Sequence, residues 1–246
     1  MSRLGIIGGS GLTQLESLEI VRREMVRTPY GEPSGPLIIG KLDGHEVVFL
    51  ARHGYGHTIP PHKINYRANI WAFKELGITK IVAAAAVGGI RDDMAPGKLA
   101  VPNQLIDYTY QRESSYFDGG DSGVEHIDFT YPYSQRLREI LISAAEVAGI
   151  EVAKEGVYGV TEGPRLETAA EVNKFEGDGC TMVGMTAMPE AALARELGLD
   201  YVTCAFVVNW AAGRSDTIID MKDIEKYMLV GSKQLRQLLA AVLPLL

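Results

Sequence analysis

Arg52 and His53 stand side by side at the end of the apolar run Glu46–Ala51. An always-charged guanidinium fork with a polar ring beside it suits phosphate, although the pair reads equally as a surface arginine next to a structural histidine. A glycine-rich turn, Gly8-Gly9-Ser10-Gly11, follows the run Leu4–Ile7. It is no dinucleotide fingerprint, because Gln14 stands where the third glycine belongs, and no serine-hydrolase elbow, because Leu12 stands where that motif needs glycine. A Walker loop fails too, since Gly40-Lys41 and Gly97-Lys98 both lead into leucine. What remains is a tight turn whose backbone N–H groups and Ser10 hydroxyl can cradle an anion, or a plain connection from strand to helix. Gly88-Gly89, Thr161-Glu162-Gly163-Pro164, Thr186 and Asn209 close four further apolar runs. His53, His57 and His62 share their segment with two prolines and no carboxylate at a metal-binding spacing, so no metal is expected. Met182, Met185 and Met188 read as core filler, with Met185 bordering the site.

The elements that must position these residues alternate along the chain. Leu4–Ile7, Glu46–Ala51, Lys80–Val87, Gly156–Val160, Thr181–Met185 and Tyr201–Val208 are short, apolar and rich in β-branched residues, which predicts strands. Helical patterns cover Asn65–Leu76, Ser134–Ala148, Leu166–Phe175, Glu190–Leu197 and Asp223–Leu243. Gly77, Gly149 and Gly198 follow three of them, where a left-handed cap sits, and Pro189 fits a helix's first turn. Gln111–Gly123 is polar and predicts a long surface loop. The alternation implies an α/β fold, a single domain over residues 1–246 with one principal sheet flanked by helices. In such sheets ligands bind beyond the carboxyl ends of the strands. The polar residues gathered at those ends therefore make a composite site.

Composition narrows the classes. The 246 residues are 46% hydrophobic and 22% charged, ordinary for a globular chain. A chain of this length buries roughly 70% of its unfolded surface and needs no disulfide or metal to hold it. The net charge of −7 argues against binding to nucleic acid or to anionic membranes. The two cysteines, Cys180 and Cys204, fit a reducing compartment, and no apolar run is long enough to span a bilayer. With no basic stretch and apolar segment at the start, a cytoplasmic protein is expected.

Four ordered segments, GIIGGSGL, LARHGYGHTIPPHKINYRANIWAFKELG, VTEGPRLET and GMTAMPEAALARELG, resemble those of the trimeric purine nucleoside phosphorylases, in particular the 5′-methylthioadenosine branch. The resemblance runs from Leu4 to about Asn209 and is looser beyond. It implies a mixed sheet between helices, assembly as a homotrimer, and phosphorolysis of a purine nucleoside with inorganic phosphate as co-substrate and no cofactor. It also implies that Ser10, Arg52, His53 and Thr186 hold phosphate and that Met185 packs under the ribose. Ala84-Ala85 departs from the threonines common in relatives, leaving the backbone N–H of Ala85 or Ala86 to serve.

At the base end, the resemblance places Glu167 and Asn209 where adenine-specific relatives carry serine and aspartate. Ionised Glu167 only accepts hydrogen bonds, which suits the N1–H of a 6-oxopurine, and Asn209 can donate to N7 or O6 as the base leaves. Glu167 could equally be a carboxylate at a helix start. At the 5′ end, relatives acting on inosine place a histidine near the last helix. Here Ile218, Ile219, Met221 and Ile224 occupy that region, and they suit either a methylthio group or an ordinary core. His126 resembles a residue lent across the trimer contact. Together these point to 5′-methylthioinosine. An inosine or guanosine phosphorylase, a 5′-methylthioadenosine phosphorylase, a hydrolytic nucleosidase and a nucleoside-binding protein are the alternatives.

Overall fold

The computed structural model describes residues 3–10, 12 and 17–246; Gly11 and Gln14 of the first turn lie outside them. Its strands are β1 (Leu4–Gly8), β2 (Glu19–Glu24), β3 (Leu37–Leu42), β4 (His45–Ala51), β5 (Lys80–Gly89), β6 (Leu99–Ala100), β7 (Gln104–Asp107), β8 (Val152–Ala153), β9 (Val157–Val160), β10 (Met182–Gly184) and β11 (Asp200–Trp210). The helices are α1 (Tyr66–Glu75), α2 (Gln135–Val147), α3 (Ala169–Gly177), α4 (Ala187–Glu196) and α5 (Met221–Val242). All six expected strands and five expected helices are present, with ends shifted by a few residues.

The described strands join one mixed sheet in the order β2-β3-β4-β1-β5-β10-β9-β7, with β11 on β5 as well and β6 and β8 beyond it. Side chains of the central strands alternate between two cores, as a sheet covered on both faces requires. Ile81, Ala83, Ala85 and Val87 of β5 face the core under α1 and α4. Val82 and Ala84 face the core under α2 and α5. Where α5 crosses β11, a Cβ on Gly231 would lie 2.6 Å from the Phe206 ring, so only glycine allows that approach.

β5 organises the centre. β11 runs parallel along one edge for its whole length. The other edge is shared: β1 pairs with it over Lys80–Ala83, and β10 pairs antiparallel at Gly88 and Gly89. Among the described residues no strand pairs with the stretch between, Ala84–Val87, on that edge. Because β1 and β10 run in opposite directions, their carboxyl ends converge on this gap. It is where the turn Gly9-Ser10 and the residues Met185-Thr186 emerge.

The expected surface loop Gln111–Gly123 needs correction. Tyr116 is buried, and so is the guanidinium of Arg112. The Arg112 guanidinium donates to the carbonyls of Met185, Met188, Thr161 and Glu162, at 2.7, 2.5, 3.0 and 2.8 Å. One arginine thus ties together the chain segments that follow β9 and β10. Gly77, Gly149 and Gly198 adopt φ of 71°, 67° and 67°, the left-handed caps expected of them. Pro189 follows Met188, whose φ/ψ is non-helical, and so begins the regular part of α4.

Candidate active site

A cavity of about 460 Å³ opens over the gap in β5. Its walls include Ser10, Arg52, His53, Ala85, Ala86, Glu167, Met185, Thr186, Asn209, Ile219 and Met221. Of the residues expected at the site, Ile218 is 92% exposed and does not line the cavity, and His126 is elsewhere too. It is exposed, in the segment before α2, and does not line this subunit's cavity.

The end of the cavity beside β1 and β4 gathers hydrogen-bond donors around a buried guanidinium. Arg52 is fully buried, and its guanidinium is already engaged. Nε and Nη2 both bond to the Glu190 carboxylate, the latter at 2.9 Å, and Nη1 donates to the Ala84 carbonyl at 2.8 Å. Two of its five N–H groups remain for a ligand. Burial works against the guanidinium's charge, but the adjacent Glu190 carboxylate outweighs it and holds the pKa above its ordinary value. Glu190 is itself fully buried and accepts a further bond of 2.8 Å from the Tyr201 hydroxyl. Backbone alternation settles which amide faces the gap. The Ala84 carbonyl points to the Arg52 side, so the N–H of Ala86, two residues on, points there as well. Ala85 borders the cavity, but its amide faces the opposite edge. Thr186 makes no capping bond to α4; it borders the cavity with its side chain and backbone N–H both meeting the Tyr158 hydroxyl. A Cβ on Gly9 would lie 2.7 Å from the Ala84 carbonyl, so glycine lets the first turn close onto β5.

The opposite end carries the polar pair. Glu167 precedes the N-cap of α3, and capping falls to Thr168 and Glu171, which form a reciprocal capping box. Glu167 stands at the helix start but does not cap it: its carboxylate accepts from the Thr161 hydroxyl at 2.6 Å and faces the cavity. Burial raises the Glu167 pKa, with the Thr161 bond opposing. Asn209 donates one Nδ2 hydrogen to the Trp210 carbonyl at 2.7 Å, keeping its second N–H and its Oδ1. A Cβ at Gly88 would press on Ala211 and on the Asn209 amide, at 3.3 and 3.4 Å.

Between the two ends Met185 forms part of the wall, whereas Met182 and Met188 are core. Ile219 and the first two turns of α5 close the last side. Met221, Ile224, Glu225 and Met228 line it at the spacing of one helical face. Among the described residues no group of three His, Cys, Asp or Glu could hold a metal ion, and no helix is long and apolar enough to cross a membrane.

Sequence reasoning missed Glu190, Arg112, Tyr201 and Glu225. Glu190 stands in a helix of ordinary mixed polarity, and its partner Arg52 is 138 residues away. Nothing local marks it as buried. Arg112 sits in a polar stretch with no periodicity to place it inside. Glu225 alone carried a signal, one turn after Met221 on the face already assigned to the pocket.

Residues 3–244 match the family described as the phosphorylase superfamily. A Pseudomonas syringae pv. tomato protein named probable S-methyl-5′-thioinosine phosphorylase is 51% identical over 99% of both chains. The 6-oxopurine nucleoside phosphorylase of Pyrococcus furiosus is 45% identical, covering 100% of this chain and 94% of its own. Among solved structures, methylthioadenosine phosphorylase from Schistosoma mansoni in complex with adenine superposes with a TM-score of 0.95 at 33% identity, over 100% of this chain and 92% of that one. A family match across nearly every residue, with relatives of this identity over their full length, means that the chain belongs to the phosphorylase superfamily.

Proposed function

We propose that this protein cleaves the N-glycosidic bond of 5′-methylthioinosine with inorganic phosphate, giving hypoxanthine and 5-methylthioribose 1-phosphate in purine salvage. The observation that carries the reading is a single cavity that joins an anion-binding end, a 6-oxopurine-type polar pair and an apolar wall. The names of the similar Pseudomonas and Pyrococcus proteins support the same substrate class.

Ser10, Thr186, the Ala86 amide and the two remaining Arg52 N–H groups hold phosphate against C1′ of the sugar, with His53 beside them. Ala85 shapes this end through its side chain. Met185 supports the ribose. As the C1′–N9 bond breaks, negative charge builds on the base, and the free Asn209 N–H strengthens its bond to N7 or O6. Glu167 accepts from N1–H, a contact adenine cannot supply. Ile219, Met221, Ile224 and Met228 take the methylthio group. The reaction uses inorganic phosphate as co-substrate and no cofactor. The exposed position of His126, outside its own subunit's cavity, supports a homotrimer in which it completes a neighbour's 5′ pocket. We assign the protein to the cytoplasm.

Glu225 favours a second reading. A carboxylate at the 5′ wall accepts from a 5′-hydroxyl, as an inosine phosphorylase requires. Phosphate-dependent kcat/KM on methylthioinosine, inosine and methylthioadenosine separates the cases. A clear preference for methylthioinosine over both supports the proposal, equal values with inosine select the second reading, and equal values with methylthioadenosine remove the base assignment.

A further inference from the structure

The turn after β4 sets both where the His53 ring lies and which of its nitrogens carries hydrogen. Gly54 takes a φ of 74°, and the backbone N–H groups of Thr58 and Ile59 both donate to the His53 carbonyl, at 3.0 and 3.1 Å. The closed loop returns the Ile59 carbonyl to the ring, 2.9 Å from Nδ1. A carbonyl oxygen only accepts, so Nδ1 bears the hydrogen, and Nε2 of the neutral ring is a bare acceptor. Burial, aided by the Arg52 charge, lowers the ring's pKa from 6.5 to about 4, which keeps it neutral. His57 packs against it with ring centroids 4.6 Å apart, and Glu167 and Glu225 line the same cavity. Among the described residues Nδ1 is the only ring nitrogen of His53 with a hydrogen bond.

The charge of the site leads to the same point. Arg52 is matched by the buried Glu190, so an arriving anion meets no net positive charge from this pair. It is recognised instead by the pattern of donors and acceptors around it. The Ser10 and Thr186 hydroxyls, the Ala86 amide and the two remaining Arg52 N–H groups can all donate. Nε2 of His53 can only accept.

We propose that His53 selects a protonated oxyanion. Its Nε2 accepts a hydrogen bond from the P–OH of hydrogenphosphate, while the surrounding donors take the three unprotonated oxygens. The proposal rests on the phosphate site proposed above and adds the protonation state that site reads. Sulfate is the discriminating probe, a tetrahedral dianion of the same charge and similar size with no hydrogen to give. In the site it sets an oxygen lone pair against that of Nε2, and one buried mispairing of this kind weakens binding roughly tenfold to hundredfold.

The test is calorimetric titration of the full-length protein with inorganic phosphate and with sulfate near pH 8, where hydrogenphosphate predominates. Phosphate should bind the wild type roughly tenfold to hundredfold more tightly. His53→Gln, whose amide can rotate to donate, should close the gap by tightening sulfate. His53→Asn, which keeps a donor near the Ile59 carbonyl and leaves nothing at Nε2, should close it by weakening phosphate alone. Equal affinities in the wild type, or a gap unchanged in both variants, would overturn the acceptor role of His53. Failure of phosphate to bind the wild type would overturn the phosphate site itself.

Discussion

Replacing Glu190 by glutamine probes the charge pair under the anion end. The substitution keeps the side chain's volume but turns one of its two acceptor oxygens into an N–H donor. In either orientation that donor faces an Arg52 N–H, Nε at one oxygen's place or Nη2 together with the Tyr201 hydroxyl at the other's, all of which donate to Glu190 in the wild type. It also leaves a guanidinium that is 1% exposed without its counter-ion. Removing one partner of a buried pair destabilises by about 3–5 kcal/mol, and here the lower figure applies because Arg52 keeps its bond to the Ala84 carbonyl and the glutamine oxygen still accepts from it. For a chain of this size each kcal/mol moves Tm by about 2–4 °C, so thermal unfolding without phosphate should occur roughly 6–12 °C lower. Phosphate then becomes the missing counter-ion, and its addition should raise Tm more in the variant than in the wild type. The double variant Arg52→Met/Glu190→Leu removes both charges. It should recover most of the lost stability while losing the response to phosphate. A Glu190→Gln protein within about 2 °C of wild type, with an unchanged phosphate response, would refute the account of the pair.

Asn209→Asp combined with Glu167→Ser should reduce the preference for methylthioinosine over methylthioadenosine by roughly tenfold to hundredfold in kcat/KM, the effect of two altered buried hydrogen bonds. Its preference for methylthioinosine over inosine should change little, since other residues face the 5′ end, and a collapse of both would count against separate subsites. Glu225→Leu should raise the preference for methylthioinosine over inosine roughly threefold to tenfold by adding apolar surface and removing an acceptor; an unchanged ratio would place Glu225 outside the 5′ pocket. His53 is held neutral in the folded protein, with a pKa of about 4 against the ordinary 6.5. The unfolded chain therefore binds the extra proton first, and the ring's contribution is complete above about pH 6.5 and lost as pH falls to about 4, a change of about 3 kcal/mol. Urea unfolding of wild type and His53→Gln at both ends of that window checks it, because an equal loss in the two proteins would assign the acid sensitivity elsewhere.

Local pattern accounts for much of the frame. Buried strands such as Lys80–Gly89 and Asp200–Trp210 read as continuous apolar runs because both faces of the sheet are covered. Other strands were silent for physical reasons. Glu19–Glu24 is a charged edge strand that solvent covers, and Leu99–Ala100 and Val152–Ala153 are too short for any periodicity to register. Leu37–Leu42 carries an apolar signal of the same kind as the expected strands and pairs antiparallel with His45–Ala51.

The residues around the cavity were legible because polar side chains and glycines at the ends of apolar runs must collect at one side of such a sheet. Resemblance to a family then attached roles to them. The gap over Ala84–Val87 depends on two strands reaching one edge of β5 from opposite directions. The Arg52–Glu190 pair, the five bonds of Arg112 to carbonyls and to the Tyr66 hydroxyl, and the tautomer of His53 each require chain segments to be placed against one another. Sequence therefore determined which elements form and which chemistry gathers at their ends, since backbone propensity and hydrophobic periodicity act over a few residues. Tertiary structure alone decided which charges are matched and which donors stay free, because desolvation and hydrogen bonding are settled only when distant segments meet.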